Sequence, residues 1–198
     1  MKSIRKTDIK NLFTEEKNHL KDAILNGKNL YHTFTLGTIS NNQSEIRTIV
    51  LRNIEKNPLK IFFNADYRSP KVKQLLDIPI CSALFYDTSR RIQLRFKAEA
   101  KIHHKNKVTE AIWKKTPLQS RKCYMGDFSP SDRTSKWESN IPSKYLKTDP
   151  EEADSELGYN NFTVVELSIK SLDVLELHHD GHIRFSCDSL GNFSFIAP

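Results

Sequence analysis

The chain has 198 residues, 37% hydrophobic and 28% charged, which predicts one globular, soluble domain spanning residues 1–198. Its net charge of +7 admits anionic partners, but Lys and Arg are interleaved with acids almost throughout, so charge alone selects none. The three cysteines (Cys81, Cys123, Cys187) are widely spaced without a CxxC, MKSIRKTDIKNLF has no apolar leader, and no run reaches membrane-spanning length; these features argue against a disulfide scaffold and predict a reduced, cytoplasmic protein with no membrane partner.

Thr14-Glu15-Glu16 predicts a helix start, with a capping hydroxyl followed by early acids, and Gly27 predicts its close. Leu12, Phe13, Leu20, Ala23 and Ile24 give that helix one apolar side to pack on a sheet. Strand patterns follow. Tyr31–Ile39 alternates aromatic and β-branched residues, Ser40-Asn41-Asn42-Gln43 is a hairpin turn, and Glu45–Asn53 returns. Lys56-Asn57-Pro58 turns into Leu59–Phe63, a buried strand followed by a polar turn, Asn64–Arg68, and a helix whose cap is Ser69 and whose first residue is Pro70. Ala83–Tyr86 and the long run Arg91–His103 are two more strands about an Asp87-Thr88-Ser89 turn. Lys105–Lys115 reads as a helix ended by Pro117. Residues 119–160 are polar, rich in Ser and Pro and weakly periodic, which fits either an ordered excursion with a short helix or a partly mobile segment. Phe162–Leu177 is again a strand, and His182–Cys187 with Asn192–Ala197 makes a closing hairpin about Ser189-Leu190-Gly191. Strands in short hairpins with few helices predict a mostly β fold, an antiparallel barrel with peripheral helices.

Arg47 and Arg52 bracket the apolar run of the strand Ile46–Arg52, and alternation sends them to opposite faces unless the chain bends. Such positions are expensive for charges without an anion, although both could equally lie at strand ends in water. The helix start at Ser69 offers backbone N–H donors and the positive end of a dipole, with Arg68 and Lys71 beside it: a phosphate pocket, or an ordinary strand–turn–helix with solvated cations. Gln93, in a strand otherwise suited to burial, could satisfy a backbone group or hydrogen-bond a heterocycle edge. His178, His179 and His182 form HHxxH, but Asp180-Gly181 between them is a turn signal and no cysteine is spaced to complete a metal site, so no metal is expected. Walker A, GxGxxG, GxSxG and HExxH motifs are absent. The aromatics lie in apolar strands rather than on a stacking platform, which argues against nucleic acid.

Taken together, these segments resemble the FMN-binding split-barrel superfamily, and within it the pyridoxamine-5′-phosphate oxidase-like proteins. The likeness spans roughly residues 30–120 and is carried by Arg47-Thr48-Ile49-Val50-Leu51-Arg52, by Ser69-Pro70-Lys71 after a strand and turn, and by Gln93-Leu94-Arg95. Trp113, Thr116-Pro117 and Ser120 echo a pattern that follows the barrel, and His182-Ile183-Arg184 with a terminal Ala197-Pro198 echoes the family C-terminus.

The resemblance implies a six-stranded antiparallel split barrel, dimeric, with FMN at the subunit interface. It places Arg47 and Lys71 at the FMN phosphate, with Ser69 at the helix start and Arg68 beside it. Arg52 and the Asn64-Ala65 backbone line the ribityl chain and ring, along the strand that carries Thr48, Ile49 and Val50. Gln93 hydrogen-bonds the isoalloxazine, Arg184 of the partner subunit approaches the ring, and Ser120 and His182 face a small-molecule substrate. The departures from the family concern substrate rather than cofactor. Ile112 and Thr116 stand where the oxidases hold substrate phosphate with Tyr and Arg, Asp180 stands where the Arg of an Arg-Leu-His motif is found, and Leu177 replaces an aromatic that supports the flavin. An FMN-dependent oxidoreductase acting on another small molecule is therefore expected; a genuine pyridoxamine/pyridoxine 5′-phosphate oxidase and a non-catalytic flavin- or haem-binding protein are the alternatives.

Overall fold

The structure is a computed structural model and describes residues 8–198. Of the expected amino-terminal features, the first seven residues of MKSIRKTDIKNLF lie outside the described residues. The described chain sorts into two compact units, the first comprising the chain up to Phe63, Ile78–Lys101 and Glu166–Pro198, the second Asn64–Asp77 and Ile102–Val165.

The first helix, α1 (Ile9–Ala23), starts earlier than its Thr-Glu-Glu signal predicts. Asp8 caps it, accepting from Asn11 N at 2.9 Å, and Thr14 sits in mid-helix with its hydroxyl donated to the Lys10 carbonyl. Burial explains the shift: Ile9, Leu12, Phe13, Leu20 and Ala23 recur at helical spacing and all pack inward. The helix ends at Ala23, and Gly27 lies in the turn beyond it.

Nine strands form one sheet: β1 (Thr33–Ser40), β2 (Gln43–Val50), β3 (Asn53–Lys56), β4 (Leu59–Asp66), β5 (Ile80–Asp87), β6 (Ile92–His104), β7 (Phe162–Glu176), β8 (Ile183–Asp188) and β9 (Phe193–Phe195). The path β2-β1-β5-β6-β7-β4-β3 is open, with β8 on β7 and β9 on β8. The fold is thus the expected mostly β, antiparallel sheet with peripheral helices, with more strands than the six foreseen. The β1–β2 register pairs Ser40 with Gln43, leaving Asn41 and Asn42 as a two-residue turn, both at positive φ (50° and 59°), as type I′ hairpin geometry demands and Asn tolerates. The return strand expected to run to Asn53 breaks instead at Leu51-Arg52. There the backbone changes partner, Leu51 N donating to His32 O and Arg52 N to Phe62 O.

Alternation along β1, β5 and β6 sends Phe34, Leu36, Phe85, Leu94 and Phe96 into the core of the first unit. Phe34 stacks on Phe85 at 4.8 Å, with Tyr31, Phe63 and Phe96 edge-on around them. At the margin of this core Glu16, a helix acid that is 2% exposed, accepts from Tyr31 Oη (2.8 Å) and Arg90, which also reaches Asp87 at 2.6 Å. Burial raises the Asp87 pKa, but hydrogen bonds from Ser89 and Arg90 outweigh it and hold the carboxyl down at about 2. A folded pKa below the unfolded value stabilises above the unfolded pKa, and that contribution is lost as pH falls from about 4 through about 2. Asp87→Asn should therefore cost about 1–2 kcal/mol at neutral pH and flatten the acid limb of stability; an unchanged slope of urea-derived stability against pH below 4 would contradict this.

In the second unit, α2 (Pro70–Asp77) and α3 (Lys107–Lys115) are the longer helices. Asn106 caps α3 through a reciprocal box with Thr109, two residues inside the start read from sequence. Trp113 of α3 meets Tyr124, Tyr159 and Phe162 in an aromatic cluster. The segment 119–160 carries short helical turns at Leu118–Arg121, Lys122–Tyr124, Ser143–Tyr145, Glu152–Ser155 and Glu156–Asn161, joined by irregular chain. Arg121, 3% exposed, anchors it by donating to the carbonyls of Trp113 and Thr116, to Ser155 Oγ and to Glu156.

Candidate functional site

The residues singled out from sequence fall into both units, and each set has its own surroundings. In the second unit β4 delivers Asn64 (half-buried) and Ala65 (buried) to a turn at Tyr67-Arg68, and α2 begins directly after it. Ser69 is the cap by its backbone, its carbonyl accepting from Val72 N (3.1 Å) and Lys73 N (3.3 Å), with Pro70 at the first helical position. The hydroxyl does not play the expected capping part. Ser69 is fully buried, and its Oγ has no hydrogen-bond partner among the described residues. A buried hydroxyl without a partner costs about 1–3 kcal/mol; at a helix N-terminus, beside Lys71, it fits an oxyanion that the protein itself does not supply. Arg68 is differently employed. Its Nε and Nη2 clamp Asp66 at 3.1 and 2.8 Å, and its other contacts are the carbonyls of Gly126 and Asp127. It therefore braces the turn against the excursion, and hydrogen bonding to Asp66 raises its pKa. Ser120 is half-buried on the short helix Leu118–Arg121.

In the first unit Arg47 lies on β2, at one end of the sheet path, opposite Leu36. Its Nη1 donates to Thr38 Oγ1 (2.5 Å) and Glu45 O (3.1 Å), and partial burial lowers its pKa, with Glu45 opposing. Thr48 is exposed, Ile49 buried and Val50 half-buried. Arg52, beyond the strand break, is exposed with no side-chain partner among the described residues. Arg47 thus lies within β2 and Arg52 outside it, so strict strand alternation does not relate the two. Gln93 is half-buried on β6 opposite Tyr86, and its amide has no hydrogen-bond partner among the described residues.

Arg184 on β8 is bound within its own chain. Its Nε and Nη2 reach Asp173 at 3.2 and 2.8 Å, and Arg95 Nη2 reaches the same carboxylate at 2.5 Å. Burial raises the Asp173 pKa, but the two arginines more than offset it and the net shift is downward. Sequence reasoning does not single out Asp173; its signal is an acid inside the apolar run Leu172-Asp173-Val174-Leu175, an expensive place for a charge. Asp173 and Arg95 help line a groove of about 720 Å³ on the sheet, with Gly37, Ala83, Leu172 and Ile46, which is 73% exposed. His182 is exposed in the turn before β8, its Nδ1 accepting from His178 N at 3.1 Å. Among the described residues no three His, Cys, Asp or Glu side chains converge as metal ligands would.

Comparison with known proteins agrees with this architecture. Residues 14–104 match the family model for the pyridoxamine 5′-phosphate oxidase FMN-binding domain. No curated protein matches the sequence. Among solved structures, a pyridoxamine 5′-phosphate oxidase-related FMN-binding protein from Nostoc punctiforme is 18% identical, with 93% of this chain and 96% of that one covered at a TM-score of 0.71. PhzG from Burkholderia lata, solved with tetrahydrophenazine-1-carboxylic acid, is 14% identical over 97% and 91% of the two chains, with a TM-score of 0.64. A general stress protein 26-related protein of the pyridoxinephosphate oxidase family from Clostridium acetobutylicum is 15% identical over 87% and 93%, with a TM-score of 0.54. At these identities the likeness is one of fold.

Proposed function

We propose, from the match of residues 14–104 to the pyridoxamine 5′-phosphate oxidase FMN-binding domain and from the likeness of the fold to solved proteins of that kind, an FMN-dependent oxidoreductase that acts on a small molecule other than pyridoxamine 5′-phosphate. The observation that carries the cofactor is the buried, unpartnered Ser69 hydroxyl at the start of α2, within the family's Ser-x-Lys pattern. Bound FMN would supply the electron-transfer chemistry, and the protein would bind, orient and tune it. Ser69 and Lys71, with Arg47, hold the phosphate by charge-assisted hydrogen bonds; Arg52 and the Asn64-Ala65 backbone line the rest of the cofactor, and Gln93 offers its uncommitted amide to the ring edge. Thr48, Ile49 and Val50 form the strand along it, and Arg68 acts as a positioning residue through Asp66. Ser120 and His182 belong to the substrate side. Arg184, fixed by Asp173, serves the cofactor of the partner subunit in a homodimer, and the open groove under the exposed Ile46 supports such a pairing face. Three free cysteines support a reducing, cytoplasmic setting, and among the described residues no helix is long and apolar enough to cross a membrane.

Purified protein should be yellow, or become so with added FMN, and should release FMN on denaturation at one per chain. A colourless preparation that takes up no FMN would overturn the cofactor reading. Supplied with pyridoxamine 5′-phosphate and oxygen, the loaded protein should form neither aldehyde nor peroxide, since Ile112 and Thr116 replace the family's phosphate-holding Tyr and Arg; turnover would reinstate the oxidase.

A further inference from the structure

We propose a second ligand site, for a small aromatic anion, in a groove between one side of α1, the β3–β4 hairpin and the β7–β8–β9 edge. The groove has a volume of about 300 Å³ and is lined by four lysines: Lys10, Lys17, Lys56 and Lys170. That volume is at the small end of the range for small-ligand sites. None of Arg47, Ser69, Lys71 and Gln93 lines it, so it is separate from the proposed FMN contacts.

Lys170 is neutralised by Glu99 at 2.8 Å. Lys56 and Lys17 meet only neutral amides, Asn18 Oδ1 at 2.6 Å and Asn57 Oδ1 at 3.5 Å, and Lys10 has no partner among the described residues. Asp188, the acid on the lining, is occupied by the Leu190 and Asn192 backbone N–H groups and the Asn192 amide. Three ammonium groups that form no ion pair among the described residues therefore line one depression, against the single negative charge of Asp188. On a chain that pairs most of its buried charges closely, this concentration repels itself unless an anion arrives.

The lining between the lysines is apolar. Phe13 and Phe193 meet at 5.9 Å, Leu59, Ile169 and Leu172 contribute aliphatic surface, and Lys17 already sits 5.0 Å from the Phe13 ring. Aromatic lining favours a flat apolar body, and the cationic rim favours an anionic substituent on it. Neither half alone would hold a ligand well. A bare inorganic anion would use none of the apolar lining, and a neutral ring would leave the repulsion among the lysines unrelieved.

The test is calorimetric titration of naphthalene-2-sulfonate into protein loaded with FMN and then desalted, so that any cofactor site is filled and no free FMN, itself an aromatic anion, competes for the groove. One site is expected, with affinity falling at least tenfold in Lys10→Glu/Lys17→Glu and in Lys56→Glu, which lies on a different element should the helix variant fold poorly. Inorganic sulfate and naphthalene-2-methanol should each bind at least tenfold more weakly than the sulfonate. Lys147→Glu, an exposed lysine outside the groove, should leave binding unchanged. Equal affinity in the groove variants, or an equal loss in Lys147→Glu, would overturn the proposal.

Discussion

Replacing Ser69 with alanine should weaken FMN binding about tenfold while leaving the ligand-free protein as stable as before or slightly more so. The two halves of this result share one cause. The Ser69 hydroxyl is buried and unpartnered among the described residues, so its removal deletes an unsatisfied group and no contact. Replacing such a group with a methyl-sized side chain is neutral or favourable to folding. With the cofactor bound, the same hydroxyl would donate to a phosphate oxygen, and losing one hydrogen bond to a charged group costs about 1.5–3 kcal/mol. Arg47→Ala and Lys71→Ala should each cost more, about 2–3 kcal/mol or 30- to 150-fold in Kd, since charge is lost as well as a donor. Affinities from flavin fluorescence quenching, set beside urea melts of the ligand-free variants, check both halves. If Ser69→Ala destabilises the ligand-free protein and leaves affinity untouched, the hydroxyl is a structural group and the phosphate lies elsewhere.

The largest expected effect on stability lies in the second unit. Arg121→Ala should lower unfolding free energy by about 3 kcal/mol. Its guanidinium satisfies the Trp113 and Thr116 carbonyls at 2.9 and 3.0 Å and lies 4.9 Å from the Trp113 ring. Truncation strands those carbonyls next to the aromatic cluster of Trp113, Tyr124 and Phe162. The ion pair to Glu156 is the lesser part, because that carboxylate is 54% exposed and screened by water. Glu156→Ala should cost about 1–2 kcal/mol, because it also takes the acceptor from the buried Trp113 Nε1, which donates to the same carboxylate at 3.0 Å, and Arg121→Lys should recover less than half, since one ammonium cannot reach carbonyls arranged for a planar fork. Chemical denaturation followed by tryptophan fluorescence separates these cases; a loss below about 1 kcal/mol for Arg121→Ala would mean the excursion is held by its hydrophobic contacts instead.

Local chemistry made much of this legible in the sequence. Alternation located the strands that bury Phe34, Phe85 and Phe96, and paired Asn residues specified the β1–β2 turn. Ser69-Pro70 marked the start of α2. The misplaced start of α1 has a local origin too: Asp8 and Thr14 are both competent caps, and only the burial of Ile9, Leu12 and Phe13 selects the earlier one. The path of residues 119–160 is not legible locally, because Arg121 ties it to Ser155 and Glu156, which lie more than thirty residues away in sequence.

What the sequence determined by itself was therefore the class of fold and the presence of charged and polar residues in expensive places, because period, turn chemistry and capping act over a few residues. Which of those residues had their needs met inside the protein was decided only by tertiary structure. Arg68 and Arg184 look as available as Arg52 in the sequence, yet Arg68 reaches carbonyls 58 and 59 residues away and Arg184 shares Asp173 with Arg95. Ser69 looks like an ordinary cap, yet the fold buries its hydroxyl without a partner. A hydrogen bond depends on where two groups meet in space, and a chain specifies that only once its strands have paired.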